Sequence, residues 1–311
     1  MRDTFVNTVF ELAEKDPNVV LLIGDIGGFL LQSFERAFPD RFLNMGIAEA
    51  NMVGVASGLA MNGKKPYLYT ITPFMTARPY EQVKNDVCYP NLNIKLVGVG
   101  SGIAYTPYGP THHSIDDLSL MRTLPNMTVV SPADPVEVRE ALHALLEHKG
   151  PAYLRLGLNS KPLALGEDRP RFRLGRANVL REGKDAAVLT TGDVTRIALE
   201  AAERLSLENI SVRVVNISTI KPLDKAGILS AASETQALIT FEEHSIYGGL
   251  GSAVAEVLAE ESRSPIPFKR IGIRDVFCQD YGSRDYLLER FGLSVEEIIK
   301  SIYEIKSAHR H

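Results

Sequence analysis

Short apolar runs alternate with amphipathic stretches along almost all of this 311-residue chain. In the first half, runs typical of buried strands lie at 19–23, 66–71, 94–99, 128–130 and 152–156. Helical patterns separate them, at 5–15, 49–62, 80–88, 115–123 and 135–148. Buried strands joined by helices form parallel sheets through right-handed crossovers. The first half is therefore predicted to be an α/β domain.

The alternation stops at 159–173, where Pro, Gly and charged residues show no periodicity. It resumes with strand-like runs at 186–190, 211–216, 237–241 and 268–273 and helical patterns at 195–206, 251–261 and 294–306. We predict a first domain over 1–165, a linker over 166–180 and a second domain over 181–311. Each domain is expected to be a mostly parallel sheet with helices on both faces.

Composition excludes several classes of protein. The net charge is −4 and there is no basic run, so neither nucleic acid nor an anionic membrane is an expected partner. No stretch reaches the roughly 20 apolar residues of a membrane span, and the amino terminus does not resemble a signal peptide. The two cysteines, Cys88 and Cys278, lie far apart without ligand spacing. We therefore expect a cytoplasmic protein without a disulfide or a metal site of its own.

Glu49 opens the helix predicted after a strand-like run at 40–43. Its neighbours Ile47, Ala48, Ala50 and Met52 are apolar. Such surroundings disfavour an ionised carboxyl group, which allows the acid to share a proton with a ligand. The alternative is an ordinary first-turn glutamate that interacts with the helix dipole.

A long irregular stretch at 98–113 ends in Thr111, His112 and His113. It follows a predicted strand, and in parallel sheets functional residues gather at the carboxyl ends of strands. Imidazole suits general acid–base chemistry near neutral pH. The alternative is that one ring packs and the other is solvated. The nearby Asp116 and Asp117 are expected to cap a helix rather than bind metal.

The segment 72–80 follows another predicted strand and contains Phe74 and Tyr80. Two aromatic rings there could line a slot for a flat ligand ring, although core packing is the commoner fate of such side chains. The Gly-rich segment 245–251 lacks full dinucleotide-binding spacing, so a tight strand-to-helix turn is the favoured interpretation.

Taken in order, these segments resemble the carboxyl-terminal half of transketolases. The resemblance rests on Gly-Ile-Ala-Glu at 46–49, Gly-Pro-Thr-His at 109–112, Leu-Pro-Asn-Met at 124–127, Ser-Pro-Ala-Asp at 131–134 and the Glu-Glu-His and Gly-Gly-Leu-Gly motifs at 242–244 and 248–251. It covers essentially the whole chain. It implies a domain that binds the pyrimidine of thiamine diphosphate, followed by a transketolase carboxyl-terminal domain.

The resemblance implies roles for individual residues. Glu49 matches the catalytic glutamate that hydrogen-bonds the cofactor's ring nitrogen, and the adjacent Ile47 is a further candidate for cofactor binding. Phe74 and Tyr80 match two aromatic residues around the pyrimidine. His112 matches a histidine that contacts the donor sugar and moves protons, and the adjacent His113 is a further substrate-binding candidate.

Several positions depart from the transketolase pattern. A ring-stacking Phe is replaced by Ala77, a family His by Gly100, a sugar-reading Asp by Tyr108 and a phosphate-binding Arg by Leu158. Arg155 lies close to that last position. Arg78 is a candidate replacement for anion binding, since a guanidinium grips phosphate, sulfonate or carboxylate as a fork.

The resemblance therefore implies the carboxyl-terminal subunit of a split transketolase. A second polypeptide would hold the diphosphate and Mg²⁺, this chain would dimerise, and the pair would form a heterotetramer. The expected reaction transfers a two-carbon ketol unit from a ketose to an aldose. Alternatives are the beta subunit of a thiamine-dependent 2-oxo-acid dehydrogenase, a deoxyxylulose-phosphate-synthase-like enzyme, or a non-catalytic protein that kept the fold.

Overall fold

A computed structural model of the chain describes residues 1–158, 161–166, 168–262 and 264–308. The strands are β1 Val19–Ile23, β2 Phe42–Asn44, β3 Lys65–Ile71, β4 Lys95–Val99, β5 Thr128–Val130, β6 Ala152–Leu156, β7 Asn178–Arg181, β8 Ala186–Thr190, β9 Val212–Asn216, β10 Thr219–Lys221, β11 Leu238–Ser245 and β12 Phe268–Ile273. The helices are α1 Arg2–Lys15, α2 Gln32–Ala37, α3 Glu49–Met61, α4 Thr72–Thr76, α5 Tyr80–Gln82, α6 Asp117–Thr123, α7 Pro135–Glu147, α8 Thr195–Ser206, α9 Lys225–Glu234, α10 Leu250–Glu261, α11 Arg284–Arg290 and α12 Val295–Ala308. Between α5 and α6 lies a π-helical turn, Val83–Cys88.

The first sheet has seven strands in the order β10-β5-β6-β4-β3-β1-β2. All neighbouring strands are parallel except β10, which runs antiparallel to β5. The strands β1, β4, β5 and β6 are buried along their whole length, because helices cover both faces. Because β1, β3 and β4 are parallel, their carboxyl ends lie on the same side of the sheet. The loops that carry the candidate site begin there.

Among the described residues, the second sheet has five strands in the order β12-β11-β8-β9-β7, and β7 is the one strand antiparallel to its neighbour. The predicted fold class, two α/β domains with mostly parallel sheets, is therefore confirmed. Strand β7 begins at Asn178, so the predicted linker 166–180 overlaps its first residues. Residues 159, 160 and 167, within or beside that linker, lie outside the described residues.

The two halves share one interface. Strand β10 follows the second-domain strand β9 but pairs with β5 of the first sheet. Glu137 of α7 is buried and accepts hydrogen bonds from Asn216 Nδ2 at 2.8 Å and Ser218 Oγ at 2.9 Å. One apolar cluster includes Leu22 and Leu96 from the first sheet and Leu189 and Leu238 from the second. The domains therefore pack as a continuous body.

Some elements lacked a sequence signal. Strands β7 and β10 were not predicted, and they are only four and three residues long. The last helix begins with a side-chain cap, since Glu297 N donates to Ser294 Oγ at 3.2 Å. Within the described ranges, no helix combines the length and apolar character that a membrane crossing requires.

Candidate functional site

Glu49 is the first residue of α3 and lies beside the end of β1. Its side chain is only 1% exposed. Thr70, in β3, donates from Oγ1 to Glu49 Oε1 at 3.4 Å. Gly24, which directly follows β1, makes room for this arrangement, because a Cβ there would lie 2.9 Å from Thr70 Oγ1 and 3.3 Å from Glu49 Oε1. The predicted burial of Glu49 is therefore observed.

Arg78 covers the other side of the Glu49 carboxylate. Its Nη1 donates to Glu49 Oε2 at 2.6 Å, and its own side chain is 41% exposed. Its Cζ lies 4.1 Å from the centre of the Phe74 ring, in cation–π geometry. Burial disfavours a charged carboxylate and the guanidinium compensates that charge. One arginine therefore contacts both the predicted acid and a predicted cofactor-binding aromatic residue.

His112 extends this contact chain from a different loop. Its ring meets Phe74 edge to face, with centres 5.1 Å apart, and stacks on Tyr108 at 4.8 Å. Thr111 Oγ1 lies 3.0 Å from His112 Nδ1. The loops that follow β3 and β4 thus meet at the carboxyl ends of these strands, where parallel sheets bind their ligands. We call Glu49, Phe74, Arg78, Tyr108 and His112 the site cluster.

Two predicted cofactor-binding residues lie at different positions relative to this cluster. Tyr80 donates from its hydroxyl to Leu120 O at 3.2 Å, lies 3.1 Å from Thr123 Oγ1, and packs against the apolar core. Its described hydrogen bonds therefore join it to α6 and not to Glu49. Ile47 is 74% exposed, so its side chain is accessible to another molecule.

His113, the second histidine of the pair, is buried beneath the loop. Burial lowers the pKa of His113, and the neighbouring His112 acts in the same direction. No ring contact joins it to the site cluster within the part of the chain that the structure describes. Of the two histidines, His112 therefore faces the cluster and His113 lies in the protein interior.

Gly100, where the transketolase pattern has a histidine, is covered by a residue that the sequence did not single out. A Cβ on Gly100 would lie 2.0 Å from Tyr105 Cε2, so the Tyr105 ring fills the space of a side chain at that position. Tyr105 also lies 6.0 Å from Tyr108 and 6.4 Å from His112, measured between ring centres. Tyr105 therefore belongs to the surroundings of the site.

Arg155, which lies close in sequence to the expected phosphate-binding position, is fully engaged inside the protein. Its Nε donates to Asp117 Oδ2 at 2.7 Å and its Nη2 to Glu243 O at 2.9 Å. Tyr153 donates to the same Asp117 oxygen at 2.7 Å. Burial alone would raise the pKa of Asp117, but the Arg155 guanidinium holds it below its usual value. Asp117 thus anchors a buried pair, and the expectation that it caps a helix was wrong.

The Gly-rich segment 245–251 is a strand-to-helix turn, as favoured from the sequence. Glu242 accepts hydrogen bonds from the backbone N–H groups of Leu250 and Gly251, both at 2.7 Å. These are the free donors at the start of α10, so a carboxylate of the protein itself occupies the position of an anion. No phosphate site is inferred there. Among the described residues, no group of three or more His, Cys, Asp or Glu could hold a metal ion.

Comparison with known families divides the chain into two matching parts. Residues 1–160 match the model described as "Transketolase, pyrimidine binding domain". Residues 175–298 match "Transketolase, C-terminal domain". The first match contains the whole site cluster, and the second contains the five-stranded sheet.

Two curated relatives match along nearly their full length. The chain is 42% identical over 306 residues to "6-deoxy-6-sulfo-D-fructose transketolase subunit SqwH" of Clostridium sp. strain MSTE9, covering 98% of this chain and 94% of the relative. It is 38% identical over 304 residues to a subunit of the apulose-4-phosphate transketolase of Phocaeicola vulgatus, covering 97% and 96%. Both relatives are named as subunits.

A solved structure described as "Split gene transketolase, inactive beta4 tetramer" is 41% identical to this chain. It superimposes with a TM-score of 0.89 over 98% of this chain and 97% of that one. The domain order, the sheet topology and these matches agree. The chain is a member of the transketolase family and comprises its pyrimidine-binding and carboxyl-terminal domains.

Proposed function

We propose that this chain is the carboxyl-terminal subunit of a thiamine-diphosphate-dependent transketolase. With an amino-terminal subunit it would transfer a two-carbon ketol unit from a ketose donor to an aldose acceptor. The observation that carries the proposal is Glu49, a carboxylate 1% exposed at a strand-end edge, in a contact chain that reaches His112 through Arg78 and Phe74. The two curated relatives, both named transketolase subunits, support the same assignment.

The residues present fit the aminopyrimidine part of thiamine diphosphate. Glu49 offers a buried carboxylate that can share a proton at a ring nitrogen, and Phe74 offers an aromatic ring within the same contact chain. Ile47 is exposed beside them. Tyr80 would contribute by holding the loop onto α6. When bound, the cofactor supplies the nucleophilic carbon that accepts and releases the two-carbon unit.

His112 and Arg78 would act on the sugar. His112 presents a half-buried imidazole next to Phe74, where it can accept or donate a proton at a sugar hydroxyl. Tyr108, stacked on His112, would position that ring and limit the sugar's access. His113 would support the loop from beneath.

The donor or the acceptor is proposed to carry an anionic group. The two relatives are named for a sulfonated and a phosphorylated sugar. Arg78 is exposed enough to reach such a group, and a guanidinium binds sulfonate or phosphate oxygens in pairs. Arg155 is excluded from this role because it is buried against Asp117.

The diphosphate and Mg²⁺ would be held mainly by the partner subunit. The described residues offer no cluster of acidic or histidine side chains suited to a metal ion. Helix α3 favours dimerisation of this chain, because one face presents Gly54 and Gly58 with open space above them and the exposed apolar side chains of Val55 and Met61. We propose a heterotetramer, two copies of each subunit.

Reconstitution tests the assignment. The chain is mixed with an amino-terminal transketolase subunit, thiamine diphosphate and Mg²⁺, and two-carbon transfer between sugars is followed by mass spectrometry. Transfer that requires both polypeptides is expected. Reduction of a lipoyl domain without ketol transfer would identify an oxo-acid dehydrogenase beta subunit instead. A melting temperature of the complex that is indifferent to thiamine diphosphate would point to a non-catalytic protein.

A further inference from the structure

The Arg78 guanidinium covers the two surfaces on which an aminopyrimidine would rest. It pairs with Glu49 Oε2 at 2.6 Å and lies 4.1 Å above the centre of the Phe74 ring. The second distance is that of a cation in direct contact with the face of an aromatic ring. A flat ring on that face of Phe74 and an N–H donor to that oxygen of Glu49 would both need the space that Arg78 fills.

The second oxygen of Glu49 also has a partner within the protein. Its Oε1 accepts a hydrogen bond from Thr70 Oγ1 at 3.4 Å, and a Cβ on Gly24 would lie 3.3 Å from the same oxygen. With Arg78 in place, Glu49 is 1% exposed. A ligand that donates a hydrogen bond to Glu49 therefore has to take the position of the guanidinium.

Arg78 itself is free to leave. Its side chain is 41% exposed, whereas its backbone is held by the hydrogen bond from Arg78 N to Pro73 O at 3.3 Å and by the following Pro79. Movement therefore belongs to the side chain, which can rotate towards solvent while the loop stays in place. The same rotation would carry the cation away from Glu49 and leave it able to meet the sugar's anionic group.

We propose that Arg78 competes with the cofactor for Glu49 and so sets the affinity of the enzyme for thiamine diphosphate. This inference rests on the proposed function, since it takes the aminopyrimidine as the ligand of Glu49. The apparent dissociation constant equals the intrinsic one divided by the fraction of molecules whose site is open. A pair closed in about nine molecules of ten weakens cofactor binding about tenfold.

The test is isothermal titration calorimetry of thiamine diphosphate, with Mg²⁺ present, into the assembled complex. Arg78→Met keeps the length and the apolar stem of the side chain but removes the charge. We expect it to bind the cofactor about tenfold more tightly, because a site that Arg78 closes in about nine molecules of ten would be open in all of them. Arg139→Met is the matched control. It removes the ion pair between Arg139 on α7 and Glu11 on α1, which lies at the surface with an N–O distance of 2.7 Å. Its affinity should equal that of the unaltered chain.

Unchanged or weaker cofactor binding by Arg78→Met would overturn the proposal, since Arg78 would then be neutral or a cofactor contact. Gel filtration establishes that the complex has assembled. If the Met variant does not assemble, Arg78→Gln decides instead: it also removes the positive charge, so it should still tighten binding, and weaker binding would contradict the inference.

A second background isolates the pair. In Glu49→Gln complexes there is no ion pair to break, so most of the affinity gain from Arg78→Met should disappear. An equal gain in both backgrounds would refute competition at Glu49. These are binding measurements, so they are separate from the proposed activity. A complex that transfers ketol units but shows no Arg78 effect rejects this inference and leaves the function standing.

Discussion

The Tyr105 ring lies directly against Gly100, in the space that a side chain at position 100 would occupy. A Cβ added to Gly100 would be 2.0 Å from Tyr105 Cε2 and 2.3 Å from Tyr105 Cδ2. Gly100 also has a φ of +79°, a conformation that favours glycine. At position 100, the Tyr105 ring from the following loop therefore takes the place of a side chain at the end of β4.

Gly100→Ala should destabilise the chain by about 2–4 kcal/mol, from the positive φ and from overlap with the Tyr105 ring. In a Tyr105→Ala background the same change should cost only about 1–2 kcal/mol, because the conformational strain alone remains. Urea unfolding of the four chains measures both values. Equal costs in the two backgrounds would show that the ring and the glycine are not coupled.

Arg78→Met should also destabilise the isolated chain, because it leaves the Glu49 carboxylate buried without its cation. We expect a loss of about 1–2 kcal/mol, less than for a fully buried pair since Arg78 is partly exposed. Adding Glu49→Gln should recover much of that loss. A double-mutant cycle by thermal unfolding measures the coupling, and a coupling near zero would mean that the pair does not form in solution.

Arg155→Met should be far more damaging. It leaves the fully buried Asp117 carboxylate without its cation and removes hydrogen bonds to the carbonyls of Ser114 and Glu243. The bond to Glu243 joins the two domains. Breaking a buried pair on one side costs about 3–5 kcal/mol. The melting temperature should fall markedly, while Arg139→Met, on an exposed pair, should leave it almost unchanged. Similar melting temperatures for both variants would contradict the assigned role of Arg155.

His113 predicts a pH dependence of stability. Its folded pKa lies below the ordinary value of 6.5 because the ring is buried. Between those two values the unfolded chain binds the proton more readily, so acidification through pH 6.5 should lower stability until the pH falls below the folded pKa of His113. His113→Phe should make the decline shallower. Identical pH profiles of the melting temperature would show that His113 does not titrate differently on folding.

Much of the fold could be predicted because its signals are local. The buried runs of β1, β4, β6 and β8 have the length and composition of parallel strands. Helices of ten or more residues separate several of the strands. Strand β10 could not be predicted, since three residues carry no periodicity and its partner β5 lies about 90 positions earlier in the chain. Such pairing is fixed by the packing of the two domains.

Part of the candidate site could also be predicted from the sequence. The apolar neighbours of Glu49 predicted its burial, but Arg78 and Thr70 contact its carboxylate, and Ile47 is 74% exposed. The meeting of Phe74 with His112 followed from two loops at the carboxyl ends of neighbouring strands. The pairing of Arg78 with Glu49 depends on the turn after α4, which no spacing rule encodes. Tyr105 was missed because its importance lies in the missing Cβ of Gly100, which only the three-dimensional structure reveals.

The most direct test of the account is the ketol-transfer rate of the reconstituted complex with Glu49→Gln. The amide keeps the size of the side chain but cannot share the acid's proton, so the rate should fall by at least about a hundredfold. Assembly should persist, and Glu81→Gln, an exposed glutamate on α5, is the matched control with an unchanged rate. A Glu49→Gln complex that transfers two-carbon units at a near-normal rate would contradict the central role of Glu49.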